Sequence, residues 1–255
     1  ALGTVLEKAK AQGIIVIGYD RLIENTDAID GLVQYNSVGT GRLQGQALLD
    51  GLAAWSGEGP YNIELFAGGP ADPNAPNFFN GAMEILQPKI DDGTLVVVSG
   101  QTTFQDVATE SWSNEKAQAR MDSLLATFYS DKKIDGALSP NDGIARAIIT
   151  AVENAGYTDP FPTSGLDAEN DSVEWIWNGR QWSTVHKDQV PLITKVIDLI
   201  KIAQGGGNLP AGSETAQNGV KDVQVYALDP VVVTKANECQ AFAGDPSGRD
   251  KLISC

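Results

Sequence analysis

The residues able to do chemistry in this 255-residue chain recur at one kind of position. Asp20-Arg21, Asp72 with Asn74, Asn141-Asp142, Asp167 and Lys187 each fall just past the end of a run that reads as a β-strand. Carboxylates and amides pair with adjacent hydroxyls through two oxygens or through an oxygen and an NH2, while Arg and Lys supply donors only. A neutral polyol needs that mixture. Taken singly, each residue has a plainer role, because Asp and Asn favour turns and helix starts. A helix cap is the expected role of Asp142, and loop geometry that of Asp72. Trp112, in Glu110-Ser111-Trp112-Ser113, lies in a loop just before a helix. Its indole either stacks on the C–H face of a sugar ring or joins a core. Trp55, Trp175, Trp177 and Trp182 read as packing residues.

Other chemistries find little support. His186 is the single histidine, which limits metal sites and nucleophilic triads, and no G-x-S-x-G elbow accompanies it. An ordinary polar histidine is expected. No G-x-x-x-x-G-K-[ST] loop occurs, and Gly68-Gly69 alone is a weak phosphate signal. No metal and no cofactor is called for. The formal charge of −15, with only 18 Lys and Arg, argues against nucleic acid or an anionic membrane surface as a partner. Composition is that of a soluble globular protein, and no apolar run approaches membrane-spanning length. Cys239 and Cys255, both near the end, would tie down the terminus as a disulfide in an oxidising compartment; two unrelated thiols are the alternative.

The elements that must position these groups alternate. Gly13-Ile14-Ile15-Val16-Ile17-Gly18 has no polar alternation and predicts a central strand buried on both faces, with Asp20 and Arg21 at its tip. A helix on Leu2, Val5, Leu6 and Ala9 precedes it. Strands are then predicted at 31–35, 62–66, 95–99, 136–139, 163–166, 182–185, 223–226 and 231–233. Helices are predicted at 38–55, 77–86, 114–129, 143–155, 171–177 and 191–203, with a loop over 67–75 and a loose polar stretch reaching Lys221. Strand-helix alternation implies an α/β fold with parallel sheets covered on both faces. Opening on a crossover helix is unusual, since a doubly wound domain normally begins with a strand.

Tyr19-Asp20-Arg21-Leu22-Ile23, Asn62-Ile63-Glu64-Leu65-Phe66, Gln118-Ala119-Arg120-Met121-Asp122, Ser139-Pro140-Asn141-Asp142-Gly143, Gly165-Leu166-Asp167-Ala168-Glu169 and Asn218-Gly219-Val220 run in order along nearly the whole chain. In these motifs the sequence resembles the type I periplasmic sugar-binding proteins, in the branch of D-xylose-binding and multiple-sugar-binding receptors of ABC importers. The resemblance implies two Rossmann-like lobes joined by a three-segment hinge. Residues 1–36 and 188–221 would form an N-terminal lobe lacking its first βα units, and 37–187 with 222–255 the C-terminal lobe. It further implies that Asp20 and Arg21 grip a sugar from one lobe, and Asn74, Trp112, Asn141, Asp167 and Lys187 from the other. Pro73 and Pro76 around Asn74 depart from the family pattern, as does the cysteine-bearing tail.

The reading is a non-enzymatic, monomeric receptor, periplasmic or extracellular and compatible with a lipid anchor. It captures a monosaccharide such as xylose, glucose, galactose or arabinose, and its closed state is recognised by a membrane permease. A chemotaxis or sensory subunit would bind sugar identically. A glycoside hydrolase with Asp20 and Asp167 as paired carboxylates, and a repressor effector domain, are the remaining alternatives.

Overall fold

A computed structural model describes residues 2–255. In chain order it contains α1 (Gly3–Ala11), β1 (Ile17–Tyr19), β2 (Gly31–Tyr35), α2 (Ser37–Trp55), β3 (Tyr61–Leu65), α3 (Asn74–Asp91), β4 (Leu95–Val97), α4 (Phe104–Val107), α5 (Asn114–Phe128), β5 (Gly136–Leu138) and α6 (Asp142–Asn154). There follow α7 (Asn170–Trp177), β6 (Ser183–His186), α8 (Gln189–Gln204), β7 (Glu214–Gln217), β8 (Asp222–Leu228), β9 (Val231–Thr234) and α9 (Glu238–Ala241). The chain divides into two compact units, one of Ala1–Asn36 with Asp188–Pro230 and one of Ser37–Lys187 with Val231–Cys255. Among the described residues no helix is long and apolar enough to cross a membrane.

The first unit is a sheet of order β1-β2-β8-β7 in which β1, β2 and β8 are parallel and β7 is antiparallel to β8. On one face Val33, Tyr35 and Tyr226 pack against Leu192 and Leu199 of α8. On the other, Leu32, Val223 and Val225 cover Ile29. Three expectations are corrected here. The opening apolar run gives only a three-residue strand at the sheet edge, with Ile14 and Ile15 51% and 43% exposed rather than buried on both faces. The polar stretch before Lys221 contains β7, whose exposed residues carry no apolar signal. Finally, β8 is hydrogen-bonded to β2, so the last passage between units follows residue 230 and not 221.

The second unit is built on the parallel sheet β4-β3-β5. Side chains alternate across a strand. Ile63 and Leu65 of β3 therefore face Leu48 and Leu52 of α2 and Phe79 of α3. The intervening Glu64 lies on the opposite face, where its buried carboxylate accepts from Ser99 N, Ser99 Oγ and Tyr129 Oη. That second face is closed by α5 and α6 through Met121, Leu124, Ile144 and Ile148. The predicted strand at 163–166 is reduced to one bridge between Thr163 and Ala137. In place of a further parallel strand, β6 pairs antiparallel with β9.

α2 and α3 meet at glycines. A Cβ on Gly41 would lie 1.9 Å from Phe78 O, one on Gly81 2.1 Å from Val38 O, and one on Gly45 2.8 Å from Ala82 O. Only hydrogen fits between these backbones. α3 begins at Asn74 and runs through Pro88 rather than spanning 77–86. Pro73 occupies its cap position and Pro76 its first turn, where a missing N–H costs nothing. Pro88 is carried because Leu86 and Ile90 still pack against the sheet.

Candidate functional site

In the first unit β1 ends in a tight turn. Asp20 has φ 64°, its N–H donates to Val33 O at 2.9 Å, and Arg21 N donates to Tyr19 O at 2.7 Å. Short polar Asp is among the few residues that adopt this left-handed conformation readily. Asp20 and Arg21 thus stand together at the carboxyl end of the strand.

In the second unit five groups gather around the carboxyl ends of β3, β5 and β6. Phe78, one helical turn after Asn74, packs with Leu166, Val185 and the half-buried Trp112. Lys187 places its Nζ 5.8 Å from the Phe78 ring centre and 3.4 Å from Asp167 Oδ1. Asn74 is buried at the helix start, its N–H held by Asp72 Oδ1 at 3.0 Å and its Oδ1 accepting from Ser37 Oγ at 3.2 Å. Asp72 therefore does the loop work expected of it.

Trp112 follows Ser111 in a turn where both residues have φ 56°. Its indole lies on Gly68 and Gly69, where an added Cβ would come within 2.1 Å of Cη2 and 2.9 Å of Cδ1. The glycine pair is thus the floor of an indole slot, not a phosphate loop. The buried indole Nε1 has no hydrogen-bond partner among the described residues. One part of Trp112 packs on the core, and the residue remains partly exposed.

The helix cap expected at Asp142 is made by its neighbour. Asn141 Oδ1 accepts from Ile144 N at 3.0 Å, which leaves its NH2 as a donor pair. Asp142 is instead a fully buried anchor. Its carboxylate accepts from Glu169 N at 2.9 Å and from Thr184 Oγ1 and Gln181 Nε2, each at 3.0 Å. Its N–H donates to Leu166 O at 3.1 Å, so the Asn141 and Asp167 turns are tied together. Burial pushes the Asp142 carboxyl up to about 8, against the three donors, with the nearby Asp167 adding to the rise. Arg120 clamps the end of β3, donating to Leu65 O at 2.8 Å with its guanidinium over the Phe66 ring.

Of the sequence-predicted residues, Asn74, Trp112, Asp167 and Lys187 are brought around Phe78, and Asn141 is linked to Asp167 through Asp142. Asp20 and Arg21 sit in the first unit. Phe78, Gly68 and Gly69 were not singled out as site residues; two glycines directly after a buried strand were the available signal. His186 stacks near Phe242, 5.2 Å between ring centres, and Trp55 packs edge-on against Trp182, as ordinary packing groups do. Cys239 and Cys255 form a disulfide. Among the described residues no His, Cys, Asp and Glu cluster could hold a metal ion.

Fold and site together define a class: an α/β protein with parallel sheets whose strand ends present amides, carboxylates, cations and one aromatic face. A family model described as periplasmic binding protein domain matches residues 1–208, and the chain belongs to that family. It is 42% identical over 240 residues to the multiple sugar-binding periplasmic protein SbpA of Azospirillum brasilense, covering 92% of this chain and 67% of that one. To the D-xylose-binding periplasmic protein of Escherichia coli it is 33% identical over 236 residues, with 92% and 67% covered. Among solved structures, an ABC transporter solute-binding protein of Clostridium phytofermentans with bound β-D-glucose matches at TM-score 0.88 and 35% identity, covering 99% of this chain and 79% of that one. A carbohydrate transporter solute-binding protein of Chloroflexus aurantiacus, in complex with D-glucose, matches at TM-score 0.84 and 35% identity over 98% and 77%.

Proposed function

We propose that this chain is an extracytoplasmic solute-binding protein that captures a monosaccharide of the glucose, xylose, galactose or arabinose type for an ABC importer. The observation that carries the reading is the gathering of Asn74, Trp112, Asp167 and Lys187 around Phe78. Relatives and structural neighbours named for sugar binding support the ligand class.

The roles follow from the donor and acceptor inventory. Asp167 accepts from two adjacent hydroxyls, and Lys187 beside it donates to a hydroxyl oxygen. The Asn141 NH2 donates, its oxygen being committed to the helix cap. Trp112 offers its exposed face to the ring C–H groups, and Asp20 and Arg21 are the hydroxyl-binding groups of the first unit. Each sugar hydroxyl left without a partner costs about 1–3 kcal/mol, which is the basis for telling epimers apart. No bond is made or broken in this cycle, and the partner that receives the loaded protein is a membrane permease.

Calorimetric titration of the full-length protein with D-glucose, D-xylose, D-galactose and L-arabinose tests the reading. One-to-one binding without product, weakened at least roughly a hundredfold by Asp167→Ala, is expected from loss of a charged hydrogen-bonding group. Absence of heat with all four sugars would remove the reading.

A further inference from the structure

The chain after β9 reaches back to the Asp167 turn. Asp167 and Ala168 are successive non-glycine residues with φ 92° and 50°. Such backbone persists only where the surroundings enforce it. Part of the enforcement is local to the fold: Asp167 N donates to Val185 O, Ala168 N to Thr184 Oγ1 and Glu169 N to Asp142 Oδ2. The Ala168 carbonyl is held from elsewhere. It accepts from Arg249 Nε at 2.7 Å, across 81 residues of sequence.

Arg249 is itself fixed. Its Nη1 lies 3.0 Å from Asp245 Oδ2, which also accepts from Arg249 N at 3.2 Å. The two side chains are only 16% and 8% exposed. The guanidinium carbon is 5.8 Å from the centre of the buried Phe242 ring. Ala168 is fully buried in one cluster with Phe242 and Ile253, and Cys239 packs against that cluster. The Cys239–Cys255 disulfide closes the segment that holds both Asp245 and Arg249.

We propose that Arg249 is a positioning residue for Asp167, and that the disulfide-closed tail thereby sets sugar affinity without touching sugar. The proposal rests on the reading of Asp167 as a ligand. An Ala168 carbonyl released from Arg249 lets the strained pair relax, and the Asp167 carboxylate loses the orientation in which it meets two hydroxyls together.

A double-mutant cycle on the full-length protein, titrated with D-glucose and D-xylose and accompanied by thermal unfolding, decides it. Arg249→Ala is expected to weaken binding roughly tenfold, and by less than about twofold in an Asp167→Ala background. Arg249→Lys, which keeps a donor for the Ala168 carbonyl, recovers part of the loss. The Cys239→Ser/Cys255→Ser pair weakens binding with the same dependence on Asp167, and it carries the cycle with Arg249→Lys should Arg249→Ala not fold. Equal losses in both backgrounds indicate a general structural role and overturn the proposal, as does unchanged affinity in Arg249→Ala while Asp167→Ala is impaired. Unchanged affinity in Asp167→Ala overturns the ligand assignment, and the positioning role with it.

Discussion

At the scale of single residues, the site depends on groups whose side chains are already committed on one side. Trp112 is seated on Gly68 and Gly69, so its ring plane is set before any ligand arrives. Trp112→Ala is expected to lower monosaccharide affinity at least about tenfold, from lost aromatic contact area. Gly68→Ala should do the same by unseating the ring, since its Cβ would lie 2.1 Å from Cη2. Titration calorimetry of both variants checks this. Asp142 is committed more completely, with three donors on its carboxylate. Ala at this position would leave the Glu169 N–H, the Gln181 NH2 and the Thr184 hydroxyl without their buried acceptor. Asp142→Ala is therefore expected to destabilise the protein by about 1–3 kcal/mol, read from urea unfolding at neutral pH. The residue types at 20, 21, 74, 112, 141, 167 and 187, which suit hydroxyl binding, stand in the sequence itself. That Asn141, and not Asp142, caps α6 was not legible there, because adjacent Asn and Asp are equivalent caps until the backbone places one of them at the β-to-helix step.

At the scale of elements, α3, which carries Asn74, lies against α2 at a glycine contact. Gly41 and Gly45 lie four apart on one face of α2, and the backbone of α3 at Phe78 and Ala82 is the nearest neighbour beside them. A Cβ at Gly41 forces the helices apart. Gly41→Ala is expected to lower stability by at least about 1–3 kcal/mol despite the better helix propensity of Ala, and to weaken sugar binding through Asn74. Thermal unfolding and calorimetry on one sample test both effects. Helix α2 was readable from the Asn36-Ser37 cap signal and the Gly57–Pro60 break, while the reason for its glycines was not. Interior glycine in a helix signals a close approach without naming the partner. Strand β1 shows the opposite failure: a run of β-branched residues specifies a strand but not how many neighbours it has.

At the scale of the whole molecule, buried carboxyls set the pH response. Burial raises Asp142 from 3.8 to about 8 and Glu238 from 4.5 to about 7, the latter opposed by Lys235. Groups raised on folding stabilise fully below their unfolded values, and that contribution is lost as pH rises through the folded ones. Asp245 runs the other way: burial raises it, but hydrogen bonds from Ser247 and Arg249 prevail and hold it below 3.8. Its contribution is lost as pH falls through that range. Stability is thus expected to be highest near pH 4 and to decline as pH rises from there to about 8, measured by urea midpoints across pH. Reduction of the disulfide, whose cysteines are 16 residues apart, should cost about 2–4 kcal/mol. Saturating sugar adds about 2.7 kcal/mol at a hundredfold excess over Kd.

The sequence by itself determined the α/β class, the order of most helices and strands, and the kind of ligand its strand-end groups suit. Those follow from local patterning and from side-chain chemistry, which every residue carries with it. Only the tertiary structure decided that β8 adds to the sheet of β2, that β6 turns antiparallel to β9, and that Arg249 meets Ala168. Each joins segments far apart in sequence, and such pairings are chosen by the register and packing of the assembled chain, not by any pattern within either segment.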